Sequence, residues 1–234
     1  MSEPLIELRN VTKIYHQGSI EVRALDGVSL SVDEGEFAVL AGPSGSGKTT
    51  LLNLIGALDV PSSGSVALQG RDLSKLRGKE LADVRLHQIG FVFQSYNLVP
   101  VLTAYENAEY VLLLEGVPKT LRYERVTEIL EAVGLAGLEN RRPSELSGGQ
   151  QQRVAVARAI ASQPAIVLAD EPTANLDSKT GNELIELMRD LNEKRGVTFV
   201  FSSHDQKVIE QAKRLIRMED GRIVDDGTEA ADAA

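Results

Sequence analysis

The 234-residue sequence contains no cysteine and no tryptophan, and only five phenylalanines and five tyrosines. Without cysteine the chain forms neither a disulfide nor a thiolate metal site, which fits a reducing compartment. Lysine and arginine number 25 against 34 aspartates and glutamates, so the net charge is −9. A chain with this charge is not attracted as a whole to nucleic acid or to an anionic membrane surface. We therefore expect no nucleic-acid partner.

Long hydrophobic runs are also missing. Apolar stretches such as AIVLA at 165–169 and VLLL at 111–114 are far shorter than the roughly 18 residues that a membrane-spanning helix requires. We therefore expect no direct insertion of this chain into a membrane, and we expect any membrane role to come through a separate partner.

The apolar residues that are present form short runs, which alternate with segments of helical periodicity. This pattern is typical of an α/β fold in which a mostly parallel sheet carries helices on both faces. It predicts strands at 37–41, 90–93, 165–169 and 197–202. A helix at 48–58 is predicted from one apolar stripe formed by Leu51, Leu52, Leu54, Ile55 and Leu58. A second predicted helix, at 178–196, ends at Gly196.

The chain length suits a single domain, residues 1–234, with an inserted lobe. Between 95 and 160 the strand signal disappears and helical periodicity replaces it, which predicts a helical subdomain. The flanking parts, 1–94 and 161–227, are predicted to form the core, and both chain ends show strand-like alternation with a hairpin turn at Asp220 and Gly221. The acidic, alanine-rich tail at 228–234 is expected to be loosely ordered.

The stretch GPSGSGKTT at 42–50 fits the pattern G-x4-G-K-[ST] between a predicted strand and a predicted helix. Glycines allow the backbone to curve around an anion, so that successive N–H groups and the positive end of the following helix face a phosphate. Lys48 adds a full positive charge for the β- and γ-phosphates, and Thr49 offers a hydroxyl to Mg²⁺. The pattern predicts a P-loop; the alternative is a glycine-rich turn.

Two carboxylates follow the apolar run AIVLA, in the stretch AIVLADEP at 165–172. Ligands bind at the carboxyl ends of strands in α/β sheets, so Asp170 is expected in a Mg²⁺ shell and Glu171 beside an attacking water. The alternative is a capping aspartate followed by a solvated glutamate.

A second anion-binding element is predicted in LSGGQQQR at 146–153. Ser147 suits a helix N-cap, and Gly148 and Gly149 leave backbone N–H groups uncovered at a helix N-terminus, where phosphate is attracted. The alternative is a linker turn before a structural helix. A chain of this length then carries two phosphate-binding elements about a hundred residues apart.

The motifs GPSGSGKTT, LSGGQ, LADE, NLD and SSHD occur in this order, and together they resemble the ATP-binding subunit of ABC transporters over residues 5–227. The resemblance implies an α/β P-loop NTPase core with a RecA-like, mostly parallel sheet, an antiparallel β subdomain and an inserted α-helical subdomain. It implies ATP hydrolysis with Mg²⁺ in a homodimer that forms around two ATP molecules. In that family two subunits pack head to tail, and each LSGGQ covers the γ-phosphate held by the other P-loop.

The resemblance also assigns roles to individual residues. The expected catalytic residues are Lys48, Glu171 and His204, which contacts the γ-phosphate. The expected Mg²⁺ ligands are Thr49, Gln94 and Asp170. Contacts to the nucleotide are expected from Tyr15, Gly42, Pro43, Ser44, Gly45, Ser46, Gly47, Lys48, Thr49, Thr50, Gln94, Ser147, Gly148, Gly149, Gln150 and Asp177.

Two of these expectations have structural alternatives, and so does one further group of residues. Tyr15, matched to the aromatic residue that stacks on adenine, alternatively belongs to the core face of a strand. Asp177, matched to a loop between subunits, alternatively caps the helix that follows it. The apolar residues after Gln94, among them Leu98 and Tyr105, either pack within the helical subdomain or line a groove for a helix of the membrane subunit.

Longer stretches are similar to the lipoprotein-release, macrolide-efflux and cell-division group (LolD, MacB and FtsE), namely FVFQSYNLVPVLTAYENAEY, NRRPSELSGGQQQRVAVARA and LADEPTANLD. The resemblance implies an ATPase at the cytoplasmic face of the inner or plasma membrane. There it drives an integral membrane permease that exports or extracts lipoprotein, peptide or drug. A solute importer's ATPase and an FtsE-like transmitter of force are the alternatives. Chromosome ATPases insert long coiled coils between the two motifs, and a P-loop kinase has no use for LSGGQ.

Overall fold

The computed structural model describes residues 3–18 and 20–227. The strands are β1 Ile6–Gln17, β2 Ile20–Val32, β3 Phe37–Ala41, β4 Ser63–Leu68, β5 Arg71–Asp72, β6 Ile89–Phe93, β7 Ile166–Asp170, β8 Phe199–Ser203, β9 Arg214–Glu219 and β10 Arg222–Gly227. The helices are α1 Lys48–Ile55, α2 Lys79–Gln88, α3 Ala104–Leu114, α4 Lys119–Ala132, α5 Gly148–Ile160, α6 Ser178–Arg195 and α7 Gln206–Ile209, with 3₁₀ turns at Leu73–Lys75 and Pro143–Glu145.

The central sheet has six strands in the order β10-β9-β3-β8-β7-β6. From β9 to β6 neighbouring strands are parallel, and only β10 is antiparallel to its neighbour. Every residue of β3 is buried, because alternate side chains enter two separate cores. Phe37 and Val39 face the core shared with the helical region, whereas Ala38 and Leu40 face the core under α1. Burial on both faces explains why the strand is a continuous apolar run.

A second sheet, with the strand order β2-β1-β4-β5, is entirely antiparallel. Helix α1 contacts β2 and β4 of this sheet and also β7 and β8 of the central sheet, so it lies between the two layers. Leu51 and Leu54 are fully buried in the core that they share. The predicted class, an α/β P-loop core with an antiparallel β subdomain and a helical subdomain, is therefore confirmed.

Among residues 95–160 the structure contains helices, turns and irregular loops, and no strand. Helix α5 packs on α3 and α4 within this region and also against β6 of the central sheet, so it joins the helical region to the core. The backbones approach each other closely at Gly90, where a Cβ atom would collide with the carbonyl oxygen of Ala159.

The predicted strands match the observed ones to within two residues, but one predicted helix end is wrong. Helix α1 ends at Ile55 and not at residue 58, and Leu58 is 47% exposed. The chain leaves the helix at Gly56, where a Cβ would lie 2.7 Å from the ring of Phe91, and Ala57 adopts a left-handed φ of 53°.

The other predicted ends agree with the structure. Gly196 ends α6 in the left-handed conformation, with a φ of 68°. Asp220 and Gly221, with φ of 46° and 77°, form the turn between β9 and β10. The tail at 228–234 lies outside the described residues. Within the described ranges, no helix is both long and apolar enough to cross a bilayer.

Candidate functional site

The loop between β3 and α1 is formed by residues 42–47 and depends on its glycines. Gly42, Gly45 and Gly47 have φ of 155°, 84° and 102°, in the region that side chains with a Cβ rarely adopt. A Cβ on Gly42 would collide with the carbonyl oxygen of Met218, and one on Gly47 would lie 2.6 Å from the carbonyl oxygen of Ala24. The loop is therefore sterically restricted to glycine at two points, and it leads directly into the N-terminus of α1.

Lys48, the first residue of α1, is buried against this loop, with 6% of its surface exposed. Its Nζ donates to the carbonyl oxygens of Gly42 and Pro43, at 2.7 and 2.9 Å, so the ammonium group lies against the curved backbone. The hydroxyl of Ser46 is buried beside it without a hydrogen-bond partner among the described residues. A buried cation, an unpaired hydroxyl and a helix N-terminus are the groups that a phosphate ligand requires.

The ends of β7 and β8 place acidic and hydroxyl groups next to this loop. Thr49 and Ser202 both donate to Oδ1 of Asp170, at 3.1 and 2.6 Å. No cluster of three or more histidine, cysteine, aspartate or glutamate side chains occurs in the described part of the chain. A metal ion bound at Asp170 and Thr49 would therefore need further oxygen ligands, and phosphate and water suit Mg²⁺ in this role.

Glu171 is held in an uncommon backbone conformation directly after β7. Its φ is 49°, in the left-handed region, and its amide donates to the hydroxyl of Ser202 at 3.0 Å. Its Oε2 lies 2.6 Å from Nδ1 of His204, which follows the neighbouring strand β8. Strained backbone of this kind is concentrated at functional sites. The structure thus brings together Lys48, Thr49, Asp170, Glu171 and His204.

Tyr15 lies on β1 and is 39% exposed, so it is not part of the core. Its hydroxyl donates to Asp59 at 2.9 Å, and Lys13 lies over its ring and donates to the same carboxylate at 2.7 Å. Burial and the Asp59 carboxylate raise the pKa of Tyr15, although a contact with Thr50 acts in the opposite direction. These contacts hold the ring beside the start of α1.

The stretch LSGGQ forms the start of α5, as predicted. Ser147 is the N-cap, its hydroxyl accepts from the amide of Gln150, and the Gln150 side chain accepts from the Ser147 amide in return. A Cβ on Gly148 would lie 2.9 Å from the Tyr96 hydroxyl, and one on Gly149 would collide with Cγ2 of Thr180 on α6. Among the described residues, no hydrogen bond joins 147–150 to the loop at 42–50.

The contact at Gly149 predicts that alanine is not tolerated there. Gly149→Ala is expected to lower the free energy of unfolding by about 1–3 kcal/mol, because the new methyl group overpacks against Thr180. In a Thr180→Ser background, which removes Cγ2, the same change should be neutral or slightly stabilising, since alanine favours a helix by up to about 1 kcal/mol over glycine. Urea unfolding measures the free energy of unfolding of Gly149→Ala in both backgrounds.

Gly181→Ala is the matched control, because a Cβ at this helical glycine makes an ordinary contact of 3.4 Å with Thr173. Equal destabilisation by Gly149→Ala with and without the Thr180→Ser change would contradict the steric account.

Gln94 directly follows β6, and Asp177 directly precedes α6. The carbonyl oxygen of Gln94, directly after β6, accepts from the side chain of Asn175 at 2.9 Å, and the Gln94 side chain is exposed. Asp177 is the N-cap of α6, where it accepts from the amides of Lys179 and Thr180. The Thr180 hydroxyl is the main cause of a lowered pKa of Asp177. The capping role of Asp177 is therefore observed.

Several side chains near the site were not predicted from the sequence, among them Asp59, Gln152, Arg158, Asn175 and Ser202. Arg158 on α5 donates to the carbonyl oxygens of Tyr96 and Asn97, at 2.9 and 2.6 Å, and burial lowers its pKa. Tyr96 and Asn97 are consecutive left-handed residues. Gln152 could have been singled out in the sequence because it is a polar residue on an otherwise apolar face of α5.

Leu98 and Tyr105 pack against the core of the helical region. The packing alternative therefore holds for both residues. By contrast, Val99 and Val101 are exposed.

A glycine-restricted loop with a buried lysine, followed by a hydroxyl and an acidic strand end, defines a P-loop nucleotide-binding protein. A family model for ABC transporters matches residues 25–174. An uncharacterised ABC transporter ATP-binding protein of Thermotoga maritima is 51% identical over 94% of this chain and 93% of that protein. This chain therefore belongs to the ABC transporter ATP-binding family, which is a family of ATPases, and the resemblance seen in its motifs is confirmed.

Other relatives are longer than this chain. The macrolide export ATP-binding/permease protein MacB of Hyphomonas neptunium is 46% identical over 97% of this chain, which spans 35% of that protein. Among solved structures, the ATP-binding cassette MJ0796, a dimer in a post-hydrolysis state bound to ADP and Pi, has a TM-score of 0.87 and 44% identity. The match covers 95% of this chain and 98% of that one.

Proposed function

We propose that this chain is the ATP-hydrolysing subunit of a transporter, that two copies assemble head to tail around two ATP molecules, and that hydrolysis drives a membrane permease. The observation that carries the proposal is the separation of the two phosphate-binding elements. The α5 N-terminus, at Gly148 and Gly149, makes no hydrogen bond to the P-loop of its own chain within the described residues. A second copy in antiparallel orientation supplies the missing half of each site.

The residues have separate tasks in such a site. Lys48 and the amides of the P-loop balance the phosphate charge, while Ser147 and Gly149 of the opposite copy cover the γ-phosphate. Glu171 accepts a proton from the attacking water, and His204, 2.6 Å away, orients its carboxylate. Tyr15 stacks on the adenine, and Thr49, Gln94 and Asp170 hold Mg²⁺. When bound, Mg²⁺ neutralises charge on the phosphate oxygens.

The membrane partner is proposed from the relatives and from one surface. Relatives named as macrolide export proteins carry an ATP-binding part and a permease in one chain. By analogy, an exporter of drug, peptide or lipoprotein is the proposed assembly, with this chain bound peripherally at the cytoplasmic face of the membrane.

An apolar groove of about 360 Å³ lies beside the segment that follows Gln94, between α2, β6, α3 and α5. Leu58, Phe91, Phe93 and Val111 line it, and the rings of Phe91 and Phe93 are stacked 5.6 Å apart. A short helix of the permease fits a groove of this chemistry, because an amphipathic helix buries its apolar face there. Closure around ATP would then move that helix through Gln94 and the residues beside it.

Leu58→Asp tests the groove and the transport assignment together. Because Leu58 is already 47% exposed, the change should leave folding and ATP binding intact, but the new charge should prevent the permease helix from docking. We expect at least a tenfold loss of co-purified permease from membrane extracts, a difference of about 1.4 kcal/mol in binding. Leu121→Asp, at an exposed leucine outside the groove, is the control. Normal assembly and transport by the Leu58 variant would contradict the proposal.

A further inference from the structure

Gln152 is a fully buried polar side chain on α5, five residues after the N-cap Ser147. Its Nε2 donates to the carbonyl oxygen of Pro172 at 2.8 Å, and more weakly to that of Phe93 at 3.4 Å. Its Oε1 has no hydrogen-bond partner within the described residues. A buried amide with one unpaired atom is unfavourable for folding, so its presence calls for a different explanation.

The segment that Gln152 holds is the one that carries Glu171. The Glu171 amide is bound by Ser202, and Gln152 binds the carbonyl oxygen of the next residue, Pro172. These two bonds fix the backbone on both sides of a glutamate whose φ is 49°. Side chains with a Cβ rarely keep this conformation unless their surroundings impose it. Without Gln152, residues 171–172 are free to relax and to move the carboxylate away from His204.

We propose that Gln152 is a positioning residue for Glu171 of its own chain. It ties the catalytic segment to α5, the helix whose N-terminus would serve the site of the opposite copy. The bond to Phe93, the residue before Gln94, extends the same tie to the end of β6. Gln152 thus connects the base of one composite site to the phosphate-covering helix of the other. This inference rests on the proposed function.

Gln152→Met is the probe, because methionine has a similar length and no donor. It leaves the Pro172 carbonyl without its partner but also removes the unpaired Oε1, so the two effects on folding oppose each other. Gln152→Asn, which is one methylene shorter, is a second variant if the first fails to fold. Arg153→Met is the control on the same helix, since Arg153 binds the Val133 carbonyl, away from Glu171.

Mixed dimers separate a positioning role from simple support of α5. A chain with Glu171→Gln is mixed in large excess with a chain that keeps Glu171, so that turnover comes from the site of the second chain. Gln152→Met on the chain that keeps Glu171 should lower turnover by roughly 10–100-fold, the effect of a misplaced catalytic group. On the Glu171→Gln chain, whose α5 covers the active site, it should change turnover by less than about twofold. Mg-ATP affinity should stay unchanged in both.

An equal or larger effect on the Glu171→Gln chain would overturn the proposal, because Gln152 would then only support α5. Hydrogen exchange in the isolated chain gives a readout without hydrolysis. Gln152→Met should speed exchange at residues 171–176 and leave 148–160 unchanged, and the reverse result would also overturn it. Undiminished hydrolysis by the homodimer of Glu171→Gln would instead refute the proposed function, which the exchange data do not test.

Discussion

Replacing Glu171 with glutamine is expected to lower the rate of ATP hydrolysis by about 10²–10⁴-fold, the usual contribution of a general base. Glutamine has the shape of glutamate and can bind His204, but it cannot accept a proton from water. The affinity for Mg-ATP should remain unchanged, because the proposed phosphate contacts come from Lys48 and the loop at 42–47 and not from Glu171. Steady-state release of phosphate and equilibrium binding of ATP measure the two quantities.

Glu186→Gln is the matched control, because Glu186 is an exposed carboxylate on α6. It should hydrolyse ATP at the normal rate. If Glu171→Gln kept full turnover, Glu171 would not be the base, and the assignment of His204 as its orienting partner would also fail.

Two inactive variants are expected to recover activity when they are mixed. Lys48→Ala removes the buried charge of the P-loop, and Ser147→Arg blocks the N-terminus of α5, so each homodimer has two damaged sites. A mixed dimer has one site with both defects and one intact site. If the two sites act independently, an equal mixture should regain about a quarter of normal activity. About half of the randomly formed dimers are mixed, and each mixed dimer has one intact site of its two.

Ser144→Arg, at an exposed serine three residues before Ser147, is the control and should be active alone. Recovery cannot occur if each chain completes its own site. Mixed dimers shown to form without any recovery would contradict sites that are shared between chains and act independently.

The central strands were predictable because burial on both faces makes each of them a short apolar run. Both ends of α6 were also visible, since Asp177 is a capping residue and Gly196 a stop signal. Helix α2 was not predicted, because Val84 is its only buried residue and it lacks an apolar stripe. The predicted end of α1 was too late because Leu58 was counted in its apolar stripe. Leu58 is in fact exposed, and residue type alone does not show whether an apolar side chain is buried.

The P-loop could be read from the sequence because its chemistry is local, with glycines, lysine and threonine in one stretch. Ser202 and Gln152 could not, because their roles depend on β8 lying beside β7 and on α5 packing on β6. Strand order is a property of the folded chain. The hydrogen-bond partners of a single serine or glutamine therefore cannot be inferred from the residues next to it in the sequence. The same holds for Thr180, which restricts residue 149 to glycine from another helix.

The molar mass of the Glu171→Gln chain in Mg-ATP, measured by light scattering, tests the central claim most directly. ATP is held between two copies in this account, and without hydrolysis the dimer should persist. With Mg-ATP the measured mass should be twice the 25.3 kDa of one chain, and with Mg-ADP it should return to that of one chain. A mass of one chain at saturating Mg-ATP would contradict composite sites formed by two copies.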